Sequence, residues 1–209
     1  MTPERREARR AEIVTAARRC FSRQGFHQTS MPDIAAEAGL STGAPYRYFA
    51  SKEEIITEIA GQAFALIFDP VQELAARRRQ VTLADLLTAA VTSAGGETVR
   101  DANDEPVPVA ELFRCTVQAW GEILRHDELR ETAQAGFDRV RGGLAGALRA
   151  GQEAGAVAAG VDVDQASRLI MALMHGFLLQ RVAFDLDDTE DFVRGVRAVL
   201  ESPSLITGS

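Results

Sequence analysis

The chain has 209 residues, 46% of them hydrophobic and 25% charged, with a formal net charge of -7. That balance is ordinary for a globular protein and allows a sizeable core in one large domain or two small ones. No run approaches the ~20 apolar residues of a membrane span. No apolar stretch follows the four arginines of the first ten residues, so no secretion signal and no membrane partner are expected, and the cytoplasm is the expected location.

The charge is unevenly placed. Residues 1–52 hold nine basic against five acidic groups, a balance of +4, while the rest of the chain carries 14 against 25, or -11. One end is therefore suited to phosphates, and the acidic remainder keeps the molecule soluble. The two cysteines, Cys20 and Cys115, lie far apart in apolar-periodic segments, so buried thiols are expected rather than a disulfide, a metal site or a redox pair.

Nearly every segment repeats its apolar residues with helical period, which predicts an all-α fold. The first helix, over 5–24, places Ile13, Ala17, Cys20 and Phe21 on one face and stops at Gly25 with Phe26 folding back. A short second helix starts at Ser30, with Asp33 reaching back to the cap and Pro32 in the first turn, and ends at Gly39 with Leu40 behind it. Ser41 then caps a third helix, so the pair forms a helix-turn-helix unit. On that helix Pro45 and Phe49 face inward and leave Thr42, Gly43, Tyr46 and Arg47 exposed. Pro45 lacks the amide that would bond the Ser41 carbonyl, so a looser helix start is expected.

Ser51 to Glu54 is another capping box, opening a longer helix with Ile55, Ile56, Ile59, Ala63, Phe64 and Ile67 at buried spacing and Pro70 at its end. Further helices are predicted over 82–94, 108–125, 127–153, 163–184 and 188–201, with an acidic loop at 101–106 and a small-residue turn at 154–160. Asp162 and Asp187 are the expected caps of the last two helices.

The third helix is the surface available to a major groove. Gly43 and Ala44 are small enough to let it approach base edges, and Thr42 and Ala44 offer methyl groups to thymine. Tyr46, Arg47 and Tyr48 suit phosphate oxygens, as do Thr29 and Ser30 at the start of the second helix, although capping alone would explain Ser30. Lys52, the sole lysine, falls in the first turn of the fourth helix, where a cation is unfavourable unless a phosphate shares the site.

The segment from Thr29 to Glu54, T-S-M-P-D-I-A-A-E-A-G-L-S-T-G-A-P-Y-R-Y-F-A-S-K-E-E, resembles the DNA-binding motif of the tetracycline-repressor (TetR) family. Pro45 departs from the β-branched residue or leucine usual there. The resemblance, which covers about a quarter of the chain, implies a three-helix DNA-binding domain at 1–51 and a helical effector-binding and dimerisation domain at 52–209. It also implies a repressor released from operator DNA by a small apolar inducer, and a phosphate-contacting lysine at Lys52. A homodimer would form through the last two long helices, with Leu169, Ile170, Leu173, Phe177, Leu178, Phe192, Val196 and Val199 at the interface, and would read a palindrome. The inducer would be sought among Phe64, Phe68, Phe113, Val117, Trp120, Phe137, Met171 and His175, with His175 either the polar anchor or equally a satisfied core histidine. Movement of the fourth helix, which links Lys52 to Phe64 and Phe68, is the lever such proteins use.

Two other readings bear on the same residues. The three histidines, His27, His126 and His175, stand in no E-x-x-H or H-E-x-x-H pattern, and neither a nucleophile elbow nor a P-loop occurs, so no enzyme, metal or cofactor is expected. A DNA-binding factor without a ligand would instead have a dense body with no cavity of ~300 Å³ or more.

Overall fold

The computed structural model describes residues 2–77, 81–100, 105–186 and 188–200. Eight α-helices account for most of them: α1 Pro3–Gln24, α2 Met31–Glu37, α3 Lys52–Arg77, α4 Leu83–Ala94, α5 Val109–Ile123, α6 Asp127–Glu153, α7 Val163–Phe184 and α8 Thr189–Leu200. The helical fold is the expected one.

Several helix starts carry side-chain caps, although the 3-10 turn after Ser41 has none. Thr2 Oγ1 accepts from the Arg5 amide at the head of α1, and Gly25, at φ 87°, closes its end by donating to the Phe21 carbonyl at 2.9 Å. Ser30 and Asp33 form a complete capping box on α2, and Thr82 and Asp85 form another on α4. The Ser30 hydroxyl and amide hold the Asp33 carboxyl below its usual range. Asp162 accepts from the amides of Asp164 and Gln165 to start α7. Asp187 lies outside the described residues; Asp188 accepts from the Asp191 amide at 2.9 Å at the head of α8.

Three elements differ from the sequence reading. The chain does not stop at Pro70, because α3 runs on to Arg77 with the proline inside it. An interior proline costs about 3 kcal/mol, but Ile67, Phe68 and Val71 on either side of it are all buried, and that burial outweighs the lost hydrogen bond. The acidic loop is flanked by a short antiparallel ribbon, β1 (Thr98–Arg100) with β2 (Pro106–Pro108), in which Val99 faces Val107; residues 101–104 lie outside the described ones. Finally, the third helix is reduced to a 3-10 turn over Pro45–Arg47.

The chain divides into two compact units. The first holds the residues up to Phe64 together with Glu97–Ala135, so it includes α1, α2, the start of α3, the ribbon and α5. Its core contains Ile13, Phe21, Ile34, Phe49, Ile55, Ile59 and Phe113, and both α2 and α5 pack on α1. The second holds Ala65–Gly96 and the chain from Gly136, with α7 and α8 packed on α4 over a core that includes Leu86, Leu87, Leu144, Leu148, Ile170 and Met174. This division differs from a cut after residue 51 because α5, distant in sequence, packs on α1.

Candidate nucleic-acid interface

The reading element is built from the turn outward. Gly39, at φ 65°, lets α2 end with the Leu40 amide bonded to the Ala35 carbonyl at 2.8 Å. The chain then enters a turn in which the Ala44 amide bonds the Ser41 carbonyl at 2.8 Å. Pro45 has no amide to continue an α-helical ladder, so the bonds that follow are Arg47 to Ala44, Tyr48 to Pro45 and Phe49 to Pro45. Pro45 supplies no donor here, and the element is a short 3-10 turn rather than the helix with a looser start that was expected.

The turn is fastened at its two inward residues, Pro45 and Phe49, both buried. Arg10 of α1 holds the same point: its guanidinium lies 4.0 Å from the centre of the Phe49 ring, donates to the Tyr48 carbonyl at 2.8 Å, and pairs with Glu54 and Glu58 of α3. Thr42, Gly43, Tyr46 and Arg47 are exposed, and Ala44 and Tyr48 half-buried. Gly43 is not at positive φ, and a Cβ built there would meet nothing within 4 Å, so the fold itself does not require a glycine at this position.

Two residues expected at phosphates have partners within the protein. Thr29 is buried, and its hydroxyl donates to the Gly25 carbonyl at 2.8 Å while accepting from Gln24 Nε2, so it braces the turn after α1. Lys52 is not a free ammonium at a helix start: Nζ donates to the carbonyls of Phe26 at 2.9 Å and Thr29 at 3.1 Å, and lies 4.3 Å from the Phe26 ring centre. Those acceptors remove the penalty that a cation would meet in the first turn of α3 without any phosphate. Ser30 is exposed, with its hydroxyl shared with Asp33.

Sequence reasoning missed Arg10 and Gln118. Gln118 of α5 accepts from the Phe26 amide at 2.7 Å and donates to the Phe21 carbonyl at 3.3 Å. Arg10 carried a faint signal, one turn ahead of the apolar stripe of α1; Gln118 carried none.

Residues 13–59 match the family model described as bacterial regulatory proteins, tetR family, and residues 108–202 match the BetI-type transcriptional repressor, C-terminal model. The chain belongs to the TetR family of transcriptional regulators. The HTH-type transcriptional regulator UidR of Escherichia coli (strain K12) is 26% identical over 195 residues, covering 91% of this chain and 90% of UidR. Among solved structures, the fatty acid degradation regulator FadR from Bacillus halodurans superposes with a TM-score of 0.73 at 20% identity, covering 98% of this chain and 97% of that one. FadR from Bacillus subtilis in complex with stearoyl-CoA gives 0.70 at 23% identity, covering 91% and 97%. At such identities the structures establish the shared TetR fold.

The residues expected to form the effector site of a TetR protein fall into both units. Phe64, Phe113, Val117 and Trp120 lie in the first; Phe68, Phe137, Met171 and His175 lie in the second. Phe68, Phe113 and Met171 are buried, and the Phe137 and His175 rings lie nearly parallel, 8° apart with centres at 6.3 Å. Burial holds the His175 imidazole below its ordinary range.

Of the residues expected at the TetR dimer interface, Leu169 and Val199 are exposed at 49% and 56%, and Leu173, Phe192 and Val196 are half-buried. Ile170, Phe177 and Leu178 are corrected: they are buried within their own unit, where Phe177 packs against Phe192 at 4.8 Å, and present no surface to a partner. The apolar face of α7 is wide enough to serve both purposes, and sequence spacing alone did not divide it. Leu179, ten residues after Leu169 on α7, is exposed as well. Among the described residues no group of three or more His, Cys, Asp or Glu could hold a metal ion, and no helix is long and apolar enough to cross a membrane.

Proposed function

We propose that this TetR-family regulator is a cytoplasmic repressor that binds a palindromic operator as a homodimer and is released by a small apolar ligand. The observation that carries the reading is the Thr42–Arg47 turn. It presents Thr42, Gly43, Tyr46 and Arg47 to solvent while Pro45 and Phe49 anchor it, and its glycine has no reason inside the fold. A side-chain-free backbone beside a threonine methyl suits close approach to base edges, and Tyr46, Arg47, Tyr48 and Ser30 suit the flanking phosphates.

A single turn reads few base pairs, so two copies related by a two-fold axis are the economical arrangement, and the exposed Leu169, Leu179 and Val199 supply apolar surface for it. A ligand acts by preferring the dimer whose reading turns are wrongly spaced; moving that equilibrium from 1:99 to 99:1 needs about 5.5 kcal/mol of differential affinity. The long acyl chain of the stearoyl-CoA in the Bacillus subtilis FadR complex supports an effector with an apolar part here.

The test is selection of duplexes from random-sequence DNA by the purified protein, followed by a screen for compounds that release the selected site. A palindromic site bound by two chains, with Tyr46→Ala weakening binding at least about tenfold and leaving the melting temperature in place, is the expected result. Failure to enrich any sequence refutes the reading. Enrichment of an asymmetric site bound by one chain refutes the dimer.

A further inference from the structure

Helix α5 presents Glu111, Cys115, Gln118 and Glu122 along one line, at i, i+4, i+7 and i+11. All four reach α1 or the turn that follows it, and Glu122 also accepts from Arg125 at 3.0 Å. Glu111 lies 3.3 Å from the buried guanidinium of Arg18, the Cys115 thiol donates to the Arg18 carbonyl, and the Glu122 carboxylate lies 3.3 Å from His27 Nε2. Between them Gln118 uses both ends of its amide, taking the Phe26 N–H at 2.7 Å and donating to the Phe21 carbonyl at 3.3 Å.

The same turn is held from the opposite side. Lys52 of α3 donates to the carbonyls of Phe26 and Thr29, with its ammonium against the Phe26 ring. Phe26 therefore has its amide on α5 and its carbonyl on α3, while its own ring packs on Phe21 at 5.2 Å. Thr29, one residue before the cap of α2, is the other acceptor, so whatever fixes this turn fixes where α2 begins and how the reading turn behind it is presented.

We propose that Gln118 and Lys52 are positioning residues which clamp the Phe26–Thr29 turn between α5 and α3 and thereby set the pitch of the DNA-reading turn. The proposal rests on the DNA-binding reading above. Gln118 bonds one backbone group of α1 and one of the turn after it, and has no charge to offer a phosphate. Lys52 has the charge but commits two of its three N–H donors to carbonyls, and a compact ammonium suits that pair of acceptors as a planar guanidinium does not.

A phosphate ligand and a positioning residue differ in salt dependence. Removing a phosphate contact lowers the slope of log K against log salt by about 0.9, whereas loosening a turn lowers K at every salt concentration and leaves the slope alone. The experiment uses the full-length protein and a palindromic duplex that the wild type has selected from random DNA. Affinity is measured across a salt series for the wild type, Gln118→Met, Lys52→Met and the double variant, with amide hydrogen exchange at Phe26 as a second readout.

Each single variant is expected to bind about five- to tenfold more weakly, the scale of one or two lost internal hydrogen bonds, with an unchanged slope. The double variant should lose less than the product of the two, because both act through one turn. Exchange at the Phe26 amide should accelerate in Gln118→Met. A slope lowered by about 0.9 in Lys52→Met would make Lys52 a phosphate ligand and overturn its part. Wild-type affinity together with wild-type Phe26 exchange in Gln118→Met would overturn the rest. If Gln118→Met does not fold, Gln118→Glu keeps the acceptor for the Phe26 amide and loses the donor to Phe21: retained Phe26 protection with weakened binding supports the clamp, and loss of that protection refutes it. A wild type that selects no DNA at all would instead sink the functional reading, before any variant is made.

Discussion

Replacing Arg10 by methionine keeps the side-chain stem against Phe49 and removes everything the guanidinium does. It deletes a charged hydrogen bond to the Tyr48 carbonyl at 2.8 Å, a cation 4.0 Å over the Phe49 ring, and ion pairs to Glu54 and Glu58. A charged hydrogen bond contributes about 1.5–3 kcal/mol, and a partly exposed cation–π contact about 0.5–1 kcal/mol. The side chain is 25% exposed and its partners 44% and 29%, so the ion pairs are screened and add about 1 kcal/mol at most. The loss should be about 2–5 kcal/mol, seen in urea denaturation as a midpoint lowered by roughly 1–2 M. Because Arg10 grips the last carbonyl of the reading turn, operator affinity should fall as well, and Arg10→Lys, which restores the charge and one donor but not the fork, should recover part of each. A stability change under about 0.5 kcal/mol, the range of an ordinary surface substitution, would refute the assignment of Arg10 as the fastening of that turn.

Two further outcomes concern buried titrating groups. Burial pushes the Cys115 thiol up to about 12, so between the ordinary thiol range and that value the unfolded chain gives up a proton that the folded chain keeps. Stability should fall as pH rises through this window, less steeply in Cys115→Ala, and a thiol reagent at pH 8 should label Cys115 only after denaturant is added. His175 is shifted the other way by burial, so its contribution is present above its unfolded value near 6.5 and is lost as pH falls below it. Urea midpoints measured from pH 7 down to pH 5 should decline less in His175→Gln than in the wild type; parallel declines would contradict the burial of a neutral imidazole.

Much of the architecture could be read along the chain because it depends on neighbours a few residues apart. The caps at Ser30, Thr82 and Asp162 are satisfied by amides two or three positions on, and the turns at Gly25 and Gly39 follow from a positive φ that glycine tolerates. The outward set Thr42, Gly43, Tyr46 and Arg47 followed from the inward spacing of Pro45 and Phe49. Pro70 was misjudged because its local cost is offset by the burial of Val71 and Phe68, which no nearby residue announces.

The same division runs through the functional surface. Helical periodicity, capping and the Thr29–Glu54 motif are properties of short stretches, and they were enough to give the helical class, the family and the exposure of Thr42, Gly43, Tyr46 and Arg47. Which side of α7 is core and which is surface, where the Lys52 ammonium ends, and what Gln118 does were decided in three dimensions. Their partners lie as far away as the 97 residues between Gln118 and Phe21, and a polar side chain on a helix carries no mark of the distant backbone group that will satisfy it once the elements pack.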